Sequence, residues 1–146
     1  MPPMSDDVRE VVAGEGYAVG SLDGMGDGPG FRKIRRELGV GAFGVNAIVM
    51  PPGIETGKHY HERQEELYFV HAGRLEMEFG DGSKHTLGPG GMAWVDAATV
   101  RAMRNYGPDE VTYVIVGAAD GYVGRDGALP EGEESNAPRP IEGSQA

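Results

Sequence analysis

The chain has 146 residues, no cysteine and a formal net charge of −10 at pH 7. This length predicts one domain, residues 1–146, with a single hydrophobic core. The lack of cysteine excludes disulfides and thiolate ligands and fits a cytoplasmic protein. The charge argues against a nucleic-acid partner, which needs a concentrated basic face. No apolar run approaches the ~20 residues that cross a bilayer, so we expect no membrane partner either.

The predicted elements are short strands separated by turns. Residues 1–30 form a polar, Gly-rich extension, which begins without the basic and apolar regions of a signal peptide. Gly contributes 25 residues, and no segment keeps a 3.6-residue apolar period, so we expect little helix. Strand-like runs rich in β-branched and aromatic residues follow at 31–38, 43–50, 58–61, 67–71, 74–79, 84–87, 92–95, 99–105 and 111–116. The pattern predicts an all-β, mainly antiparallel sandwich or barrel over residues 31–118, with a hairpin turn at residues 80–82.

One charged segment lies in the first of these strand-like runs, and another follows the last. The basic cluster Arg32-Lys33 and Arg35-Arg36 is interpreted as a solvated strand face, or as an interface edge whose charges discourage unwanted pairing. Residues 119–146 are rich in Pro, Gly, Ser and acidic residues, a composition that does not bury enough apolar surface to fold alone. We predict a flexible acidic tail, or one draped over the barrel, and no second domain.

His59 and His61 stand one residue apart, five residues ahead of Glu66. Residues i and i+2 of a strand point to the same side, so the two imidazoles are expected to project together. Two His and one carboxylate form the ligand set of many non-haem iron sites. The alternative is a pair of histidines on a solvated turn. The break at residues 51–53 and the strand-like run that follows the pair favour a scaffolded metal site.

The segment from Gly53 to Gly73 resembles the first signature of the cupin superfamily. That signature reads Gly, five residues, His, one residue, His, three or four residues, Glu, six residues, Gly, and its positions are filled by Gly53, His59, His61, Glu66 and Gly73. Glu65 fits the shorter His-to-Glu spacing, but only Glu66 leaves six residues before the last glycine. The resemblance implies a double-stranded β-helix, the jelly roll of cupins. It also implies that His59, His61 and Glu66 are metal ligands.

The second cupin signature reads Gly, five residues, Pro, one residue, Gly, two residues, His, three residues, Asn, and is only partly kept. Gly90 and Asn105 match, whereas Asp96 and Ala98 replace the Pro and Gly, and Arg101 replaces the His that is usually the fourth metal ligand. A guanidinium donates hydrogen bonds and does not ligate metals. Arg101 therefore turns away from a bound metal, pairs with the ligand carboxylate in a metal-free pocket, holds an anionic ligand beside a three-ligand metal, or points into solvent or a subunit contact.

Strand alternation selects further pocket residues. Tyr68 shares a strand face with Glu66, and Met103 and Asn105 share one with Arg101. We take Arg101, Tyr68, Met103 and Asn105 as candidate substrate contacts. No residue is identified as catalytic.

The remaining apolar and aromatic residues suggest a subunit interface. Both faces of the run at 67–71 are apolar, Leu67 and Phe69 included, which predicts that a second subunit covers the outer face of a homodimer. Trp94 is predicted to be a core or interface residue. His85 is expected at the surface, and so is His71, which is also the outside candidate for a replacement fourth ligand.

Three functions remain open at this stage. The first is a metal-binding cupin whose divalent ion, with Fe, Mn, Ni and Zn undistinguished, serves a dioxygenase or isomerase. The second is a metal-free module in which Arg101 and the His pair recognise an anionic small molecule. The third is a structural dimeric barrel. Fold-level analogy does not select a substrate.

Overall fold

The computed structural model describes residues 7–143. The first six residues of the predicted extension and the last three of the predicted tail lie outside this range. The strands are β1 (Val12–Gly14), β2 (Tyr17–Val19), β3 (Gly30–Arg32), β4 (Gly44–Met50), β5 (Ile54–Glu55), β6 (Tyr60–His61), β7 (Glu65–Ala72), β8 (Leu75–Phe79), β9 (Lys84–Leu87), β10 (Met92–Val95), β11 (Arg101–Asn105), β12 (Val111–Ala118), β13 (Gly127–Ala128) and β14 (Arg139–Pro140). One α-helix, α1, spans Ile34–Leu38, and a 3-10 turn spans Leu22–Gly24.

Two five-stranded sheets form the body of the structure. The first has the order β10-β7-β12-β4-β3 and the second the order β14-β5-β11-β8-β9. Every strand pair in both sheets is antiparallel. This is the all-β, double-sheet architecture that the strand pattern predicted. Across residues 7–143, no helix has the length and apolar character needed to cross a membrane.

The core lies between the facing surfaces of the two sheets. Strand β7 alternates between exposed and buried side chains, as expected for a strand with one face toward the core. The buried cluster draws on both sheets and consists of Met50, Tyr68, Val70, Leu75, Met77, Val95, Met103, Val111 and Tyr113. Trp94 is 65% exposed, so its placement in the core was wrong, while its role at an interface stays a prediction. His71 and His85 are exposed, as expected.

The first predicted run, 31–38, was wrong as a single strand. Only Gly30–Arg32 pairs in the sheet, and Ile34–Leu38 forms α1. The helix sequence contains Arg, Glu and Leu, which have high helix propensity. Gly39 ends the helix in a left-handed conformation with φ of 78°, and its N–H donates to the carbonyl of Arg35. This is the usual glycine C-cap.

The helix changes the interpretation of the basic cluster. Arg32 is 7% exposed, and its Nη2 donates to the carbonyl oxygen of Gly28 at 2.8 Å. The Arg35 guanidinium lies 3.9 Å from the ring centroid of Tyr122, a cation–π contact. The cluster is therefore not one strand face. Arg32 and Arg35 contact neighbouring loops, whereas Lys33 and Arg36 are exposed to solvent.

The C-terminal segment pairs with the barrel through two short strands. Strand β13 pairs with β6, and β14 pairs with β5 at the edge of the second sheet. We name residues 122–141 the C-terminal strap. Its pairing partners β5 and β6 flank the His59 segment, so the strap lies directly against the predicted site.

Gly73 shows why the first signature ends in glycine. Its φ is +79°, and a Cβ built there would lie 2.4 Å from the carbonyl oxygen of Glu110. Gly82 has a similar φ of +85°, with nothing within 4 Å of its Cβ position. A side chain at either glycine would incur the same conformational penalty, but only a side chain at Gly73 would also clash with neighbouring backbone.

We expect Gly82→Ala to lower the free energy of unfolding by about 1–2 kcal/mol, the penalty of a left-handed conformation. Gly73→Ala is expected to lower it by at least about 2 kcal/mol more, because backbone must move to relieve the overlap. Urea unfolding of both variants measures the difference. Equal destabilisation by the two substitutions would contradict the steric assignment.

Candidate metal centre

The two histidines are held by pairing between their segment and β11. His59 forms an antiparallel bridge with Arg101, with N–H to carbonyl distances of 3.0 and 2.9 Å. The N–H of His61 donates to the carbonyl of Ala97 at 2.8 Å. The two rings project together, with centroids 5.2 Å apart and planes at 85°. The structure therefore brings the imidazoles into one site, as the i, i+2 spacing predicted.

Glu66 joins this site from β7. The ligand atoms of His59, His61 and Glu66 all lie within 4.8 Å of one another. Glu66 is 8% exposed, and its Oε1 lies 3.2 Å from His61 Nε2. It also accepts a hydrogen bond of 2.7 Å from the Tyr68 hydroxyl. The exposed Glu65 instead accepts from Trp94 Nε1 at 2.7 Å, so Glu66 is the carboxylate that faces the histidines.

Arg101 enters the same site from β11 and is fully buried, with 0% exposure. Its Nη2 lies 3.5 Å from Glu66 Oε1. The burial excludes the solvent-facing alternative, and the distance places the guanidinium beside the ligand carboxylate. Arg101 Nε is buried without a hydrogen-bond partner among the described residues.

The rest of the guanidinium is held by a turn over residues 96–99. Arg101 Nη1 donates to the carbonyls of Thr99 at 2.8 Å and Ala97 at 3.3 Å, and Nη2 donates to that of Asp96 at 3.2 Å. The Asp96 carboxylate accepts from the N–H of Thr99 at 3.0 Å, a side-chain to backbone bond that favours a turn. The carbonyls of Asp96, Ala97 and Thr99 thus form the cradle of the arginine, and Asp96 is also one of the positions that depart from the second signature.

The protonation of the site follows from burial and charge. Burial lowers the pKa of His59 to about 4, and the charges of Arg101 and His61 act in the same direction. Burial raises the pKa of Glu66, but hydrogen bonds from His61 and Tyr68 and the nearby positive charges bring it below its ordinary value. His59 is therefore neutral and Glu66 ionised near pH 7. Both are the forms that ligate metals.

His61 differs from His59 because two carboxylates face it. Burial lowers the pKa of His61, yet the hydrogen bond and charge of Glu66 and the hydrogen bond with Asp126 raise it above the ordinary value. His61 Nδ1 lies 2.8 Å from Asp126 Oδ1, whereas Nε2 faces Glu66. The ring is thus held from both sides.

Asp126 is a site residue that the sequence analysis missed. It lies in the C-terminal strap, which the composition marked only as acidic and polar. No spacing rule links it to His61, because the strap meets β6 only in the folded chain. Hydrogen bonding keeps the pKa of Asp126 low despite burial, with Gln64 and the backbone N–H of Arg63 among the donors.

The other predicted substrate contacts fall into two groups. Tyr68 lies at the site through Glu66, and burial, followed by the Glu66 charge, raises the pKa of its hydroxyl well above the ordinary value. Met103 belongs to the apolar core. The Asn105 side chain bonds the carbonyls of Met50 and Asp109 at 3.0 Å each. Met103 and Asn105 therefore have structural roles, and their contact with a substrate stays a prediction.

Comparison with known proteins agrees with this architecture. The family model described as "Cupin domain" matches residues 46–117, which contain the two histidines, Glu66 and Arg101. The chain contains a cupin domain. The matched segment begins within β4 and contains the whole first signature and the altered second signature. Among the curated proteins, none matches this cupin.

Solved structures extend the likeness beyond the matched segment. An uncharacterised conserved protein with a double-stranded β-helix domain from Klebsiella pneumoniae is 27% identical, with a TM-score of 0.55 over 62% of this chain and 76% of that one. A DMSP lyase from Ruegeria pomeroyi is 26% identical, with a TM-score of 0.55 over 63% of this chain and 46% of the lyase. A cupin protein from Bacteroides fragilis, 19% identical, has a TM-score of 0.61 over 79% of this chain and 98% of that one. This last likeness shows the fold alone.

The low pKa of His59 predicts a pH dependence of stability. The ordinary value is 6.5 and the folded value about 4, so within this window the unfolded chain binds a proton that the folded chain does not. The free energy of unfolding therefore falls as the pH drops through the window, by about 3 kcal/mol at most. The contribution of His61 has the opposite sign, since it is present below the unfolded pKa and lost as the pH rises through the raised folded value.

Urea unfolding of the metal-free protein in EDTA, repeated across this window, tests the assignment. His59→Gln is expected to flatten the loss of stability on acidification, whereas His71→Gln, at an exposed position, leaves the slope as in the wild type. An unchanged slope in His59→Gln would show that another group carries the effect.

Proposed function

We propose that this cupin is a metal-dependent enzyme acting on a small anionic molecule, with His59, His61 and Glu66 holding a divalent ion. The observation that carries the proposal is the convergence of three ligand atoms, from two separate elements, within 4.8 Å of one another. The set of two imidazoles and one carboxylate suits Fe, Mn, Ni and Zn, and does not by itself select among them.

The donor atoms fit a metal on two further observations. His59 Nδ1 is buried without a hydrogen-bond partner in the part of the chain that the structure describes, although buried polar atoms are normally satisfied. Arg101 directs its hydrogen bonds chiefly toward the carbonyls of residues 96–99. These carbonyls stabilise the guanidinium beside the ligands without requiring the carboxylate of Glu66 for itself.

The charge balance supports an anionic substrate. A divalent ion and Arg101 bring three positive charges, against the two negative charges of Glu66 and Asp126 when both histidines are neutral. The resulting excess of one positive charge lies in a mostly buried site, where unpaired charge is costly. A substrate carboxylate or similar anion would compensate it, and Arg101 is the residue suited to attract that group.

When bound, the ion would supply Lewis-acid polarisation of a substrate oxygen or a binding position for dioxygen. We retain an oxidoreductase or isomerase as the proposed reaction class, and the likeness to a DMSP lyase adds lyases to it. The chain's own contribution is to keep His59 neutral by burial, to keep Glu66 ionised by hydrogen bonding, and to attract the anion through the charge of Arg101.

The alternative is a metal-free module that binds an anion without chemistry. One observation favours it, because Glu66 already has His61, Tyr68 and Arg101 around it. With His61 protonated, the charges of His61 and Arg101 balance those of Glu66 and Asp126. The metal-dependent enzyme and the metal-free module therefore differ in whether a metal ion replaces a proton on His61. Measurements of metal content and metal affinity distinguish the two.

We expect protein purified without chelator to contain a divalent metal and the stripped protein to bind one. His59→Ala is expected to weaken binding by about 100-fold or more, since four-ligand zinc sites carry ~10–16 kcal/mol in total and a tenfold change is about 1.4 kcal/mol. Arg101→His restores the fourth ligand and is expected to tighten binding. Elemental analysis and calorimetric titration measure both.

His71→Ala is the matched control for these variants, because His71 is exposed and lies outside the group of His59, His61 and Glu66. This substitution is expected to leave affinity unchanged. Absence of metal from the purified protein, with no binding of added iron, manganese, nickel or zinc, would eliminate the metal proposal and leave the anion-binding module. Unchanged affinity in both His59→Ala and Arg101→His would count equally against it.

We also propose that the chain forms a homodimer through the outer face of β7 and β10. Four large apolar side chains are exposed there, at 41% for Leu67, 37% for Phe69, 60% for Met92 and 65% for Trp94. Register pairs Met92 with Phe69 and Trp94 with Leu67, so the four form one contiguous patch. Patches of this kind on soluble proteins mark interaction surfaces.

Phe69→Lys is expected to convert the dimer to a monomer, because a charge in the centre of an apolar interface remains desolvated and unpaired. Tyr106→Lys, at a 63% exposed position outside this patch, is expected to leave the mass unchanged. Sedimentation equilibrium gives the mass. A monomeric wild type would refute the dimer and leave the metal proposal untouched.

A further inference from the structure

The C-terminal strap crosses the segment that carries the two histidines. The N–H of Gly57 donates to the carbonyl of Asn136 at 3.2 Å, and a Cβ on Gly57 would lie 2.1 Å from the carbonyl oxygen of Ser135. The N–H of Lys58 donates to the Glu133 carboxylate at 3.0 Å. The strap therefore packs against the backbone immediately before His59.

A second group of contacts holds the segment after His61. The Asp126 side chain is 8% exposed and faces the His61 ring through Oδ1, at 2.8 Å from Nδ1. Its Oδ2 accepts the backbone N–H groups of Arg63 and Gln64, at 2.9 Å each. The Gln64 side-chain amide also donates to Oδ1. One carboxylate of the strap thus fixes both the ligand ring and the turn that follows it.

We infer that Asp126 is a positioning residue of the metal centre, which holds the His61 proton on Nδ1 and leaves Nε2 free to face Glu66 and a metal ion. This inference rests on the proposed function. Through Asp126 the C-terminal strap becomes part of the site, although the three proposed ligands, His59, His61 and Glu66, all lie outside the strap.

The geometry around the ring explains this role. A neutral imidazole carries one proton, and the nitrogen that keeps it is set by the hydrogen bond that nitrogen makes. Asp126 accepts at Nδ1, so the proton stays there and the lone pair of Nε2 points toward Glu66, 3.2 Å away. Carboxylates behind metal-bound histidines fix orientation and raise basicity in the same way.

Asp126→Asn tests this role directly, because nearby backbone N–H groups fix the orientation of the asparagine side-chain amide. The N–H groups of Arg63 and Gln64 require an acceptor at the Oδ2 position, so the asparagine oxygen occupies it. The amide nitrogen then faces His61 Nδ1 and donates to it. The ring is forced into the opposite tautomer, with its proton on Nε2, where it blocks ligation.

The control variant loosens the strap without touching His61. Glu133 accepts from Lys58 N and from Arg139 Nη1 at 3.1 Å, and Glu133→Gln removes its charge. If the strap acts only as a latch that stabilises the fold, Glu133→Gln and Asp126→Asn have similar effects. If Asp126 positions His61, only Asp126→Asn affects the site.

Titration with Co²⁺ is the first measurement, with the visible absorption of the bound ion reporting coordination. We expect Asp126→Asn to weaken Co²⁺ binding by about 10- to 100-fold and to change the absorption spectrum, while Glu133→Gln keeps the affinity and spectrum of the wild type. Equal loss in the two variants, or wild-type binding by Asp126→Asn, would overturn the inference.

Nitrogen-15 NMR of the imidazoles in the metal-free protein is the second measurement, taken at a pH where His61 is neutral. We expect the wild type and Glu133→Gln to carry the His61 proton on Nδ1, and Asp126→Asn to carry it on Nε2. The same tautomer in all three proteins would refute the role of Asp126. This second measurement separates the two proposals. A wild type that binds no Co²⁺ would refute the metal-dependent function, while the tautomer of His61 would still test the role of Asp126.

Discussion

The buried carboxylate of Glu66 is the constraint on which the site depends. A charge withdrawn from water needs compensating partners, because the desolvation of an ion is far more costly than that of a neutral group. Its partners come from the hydroxyl of Tyr68, the ring of His61 and the guanidinium of Arg101. Strands β6, β7 and β11, which carry these groups, belong to three different sheets. The site therefore exists only when those sheets have assembled, and its charges in turn tie them together.

Arg101 gives this cupin a site unlike the one its family signature implies. A cation stands where the fourth ligand usually lies, and the turn at residues 96–99 holds Asp96 and Ala98 in place of the Pro and Gly of the signature. Asp96 stabilises the turn through its side chain, and the backbone carbonyls then accept the guanidinium protons. Asp96, the turn and Arg101 form one unit in physical terms, since the arginine needs acceptors that the turn provides. The same unit adds the positive charge from which the proposed anionic substrate follows.

Much of the fold follows from local sequence. Strands at 84–87 and 92–95 were predicted with their observed bounds. Glu66 and Tyr68 of β7 were placed on one face in advance, because successive side chains of a strand point to opposite sides. The run at 31–38 was misassigned because its apolar and charged residues suit either a strand or a short helix, and packing decided between them. Two-residue strands such as β13 carry too little pattern for any local rule to detect.

The sequence by itself determined the scaffold and three of the groups at its centre. The spacing of Gly53, His59, His61, Glu66 and Gly73 lies within one short stretch of chain, where backbone geometry fixes which side chains point together. Only the tertiary structure decided the direction of Arg101 and the presence of Asp126 behind His61. These depend on contacts between residues far apart in the chain, and such contacts are selected by the burial of charge in the closed barrel, which no local pattern records.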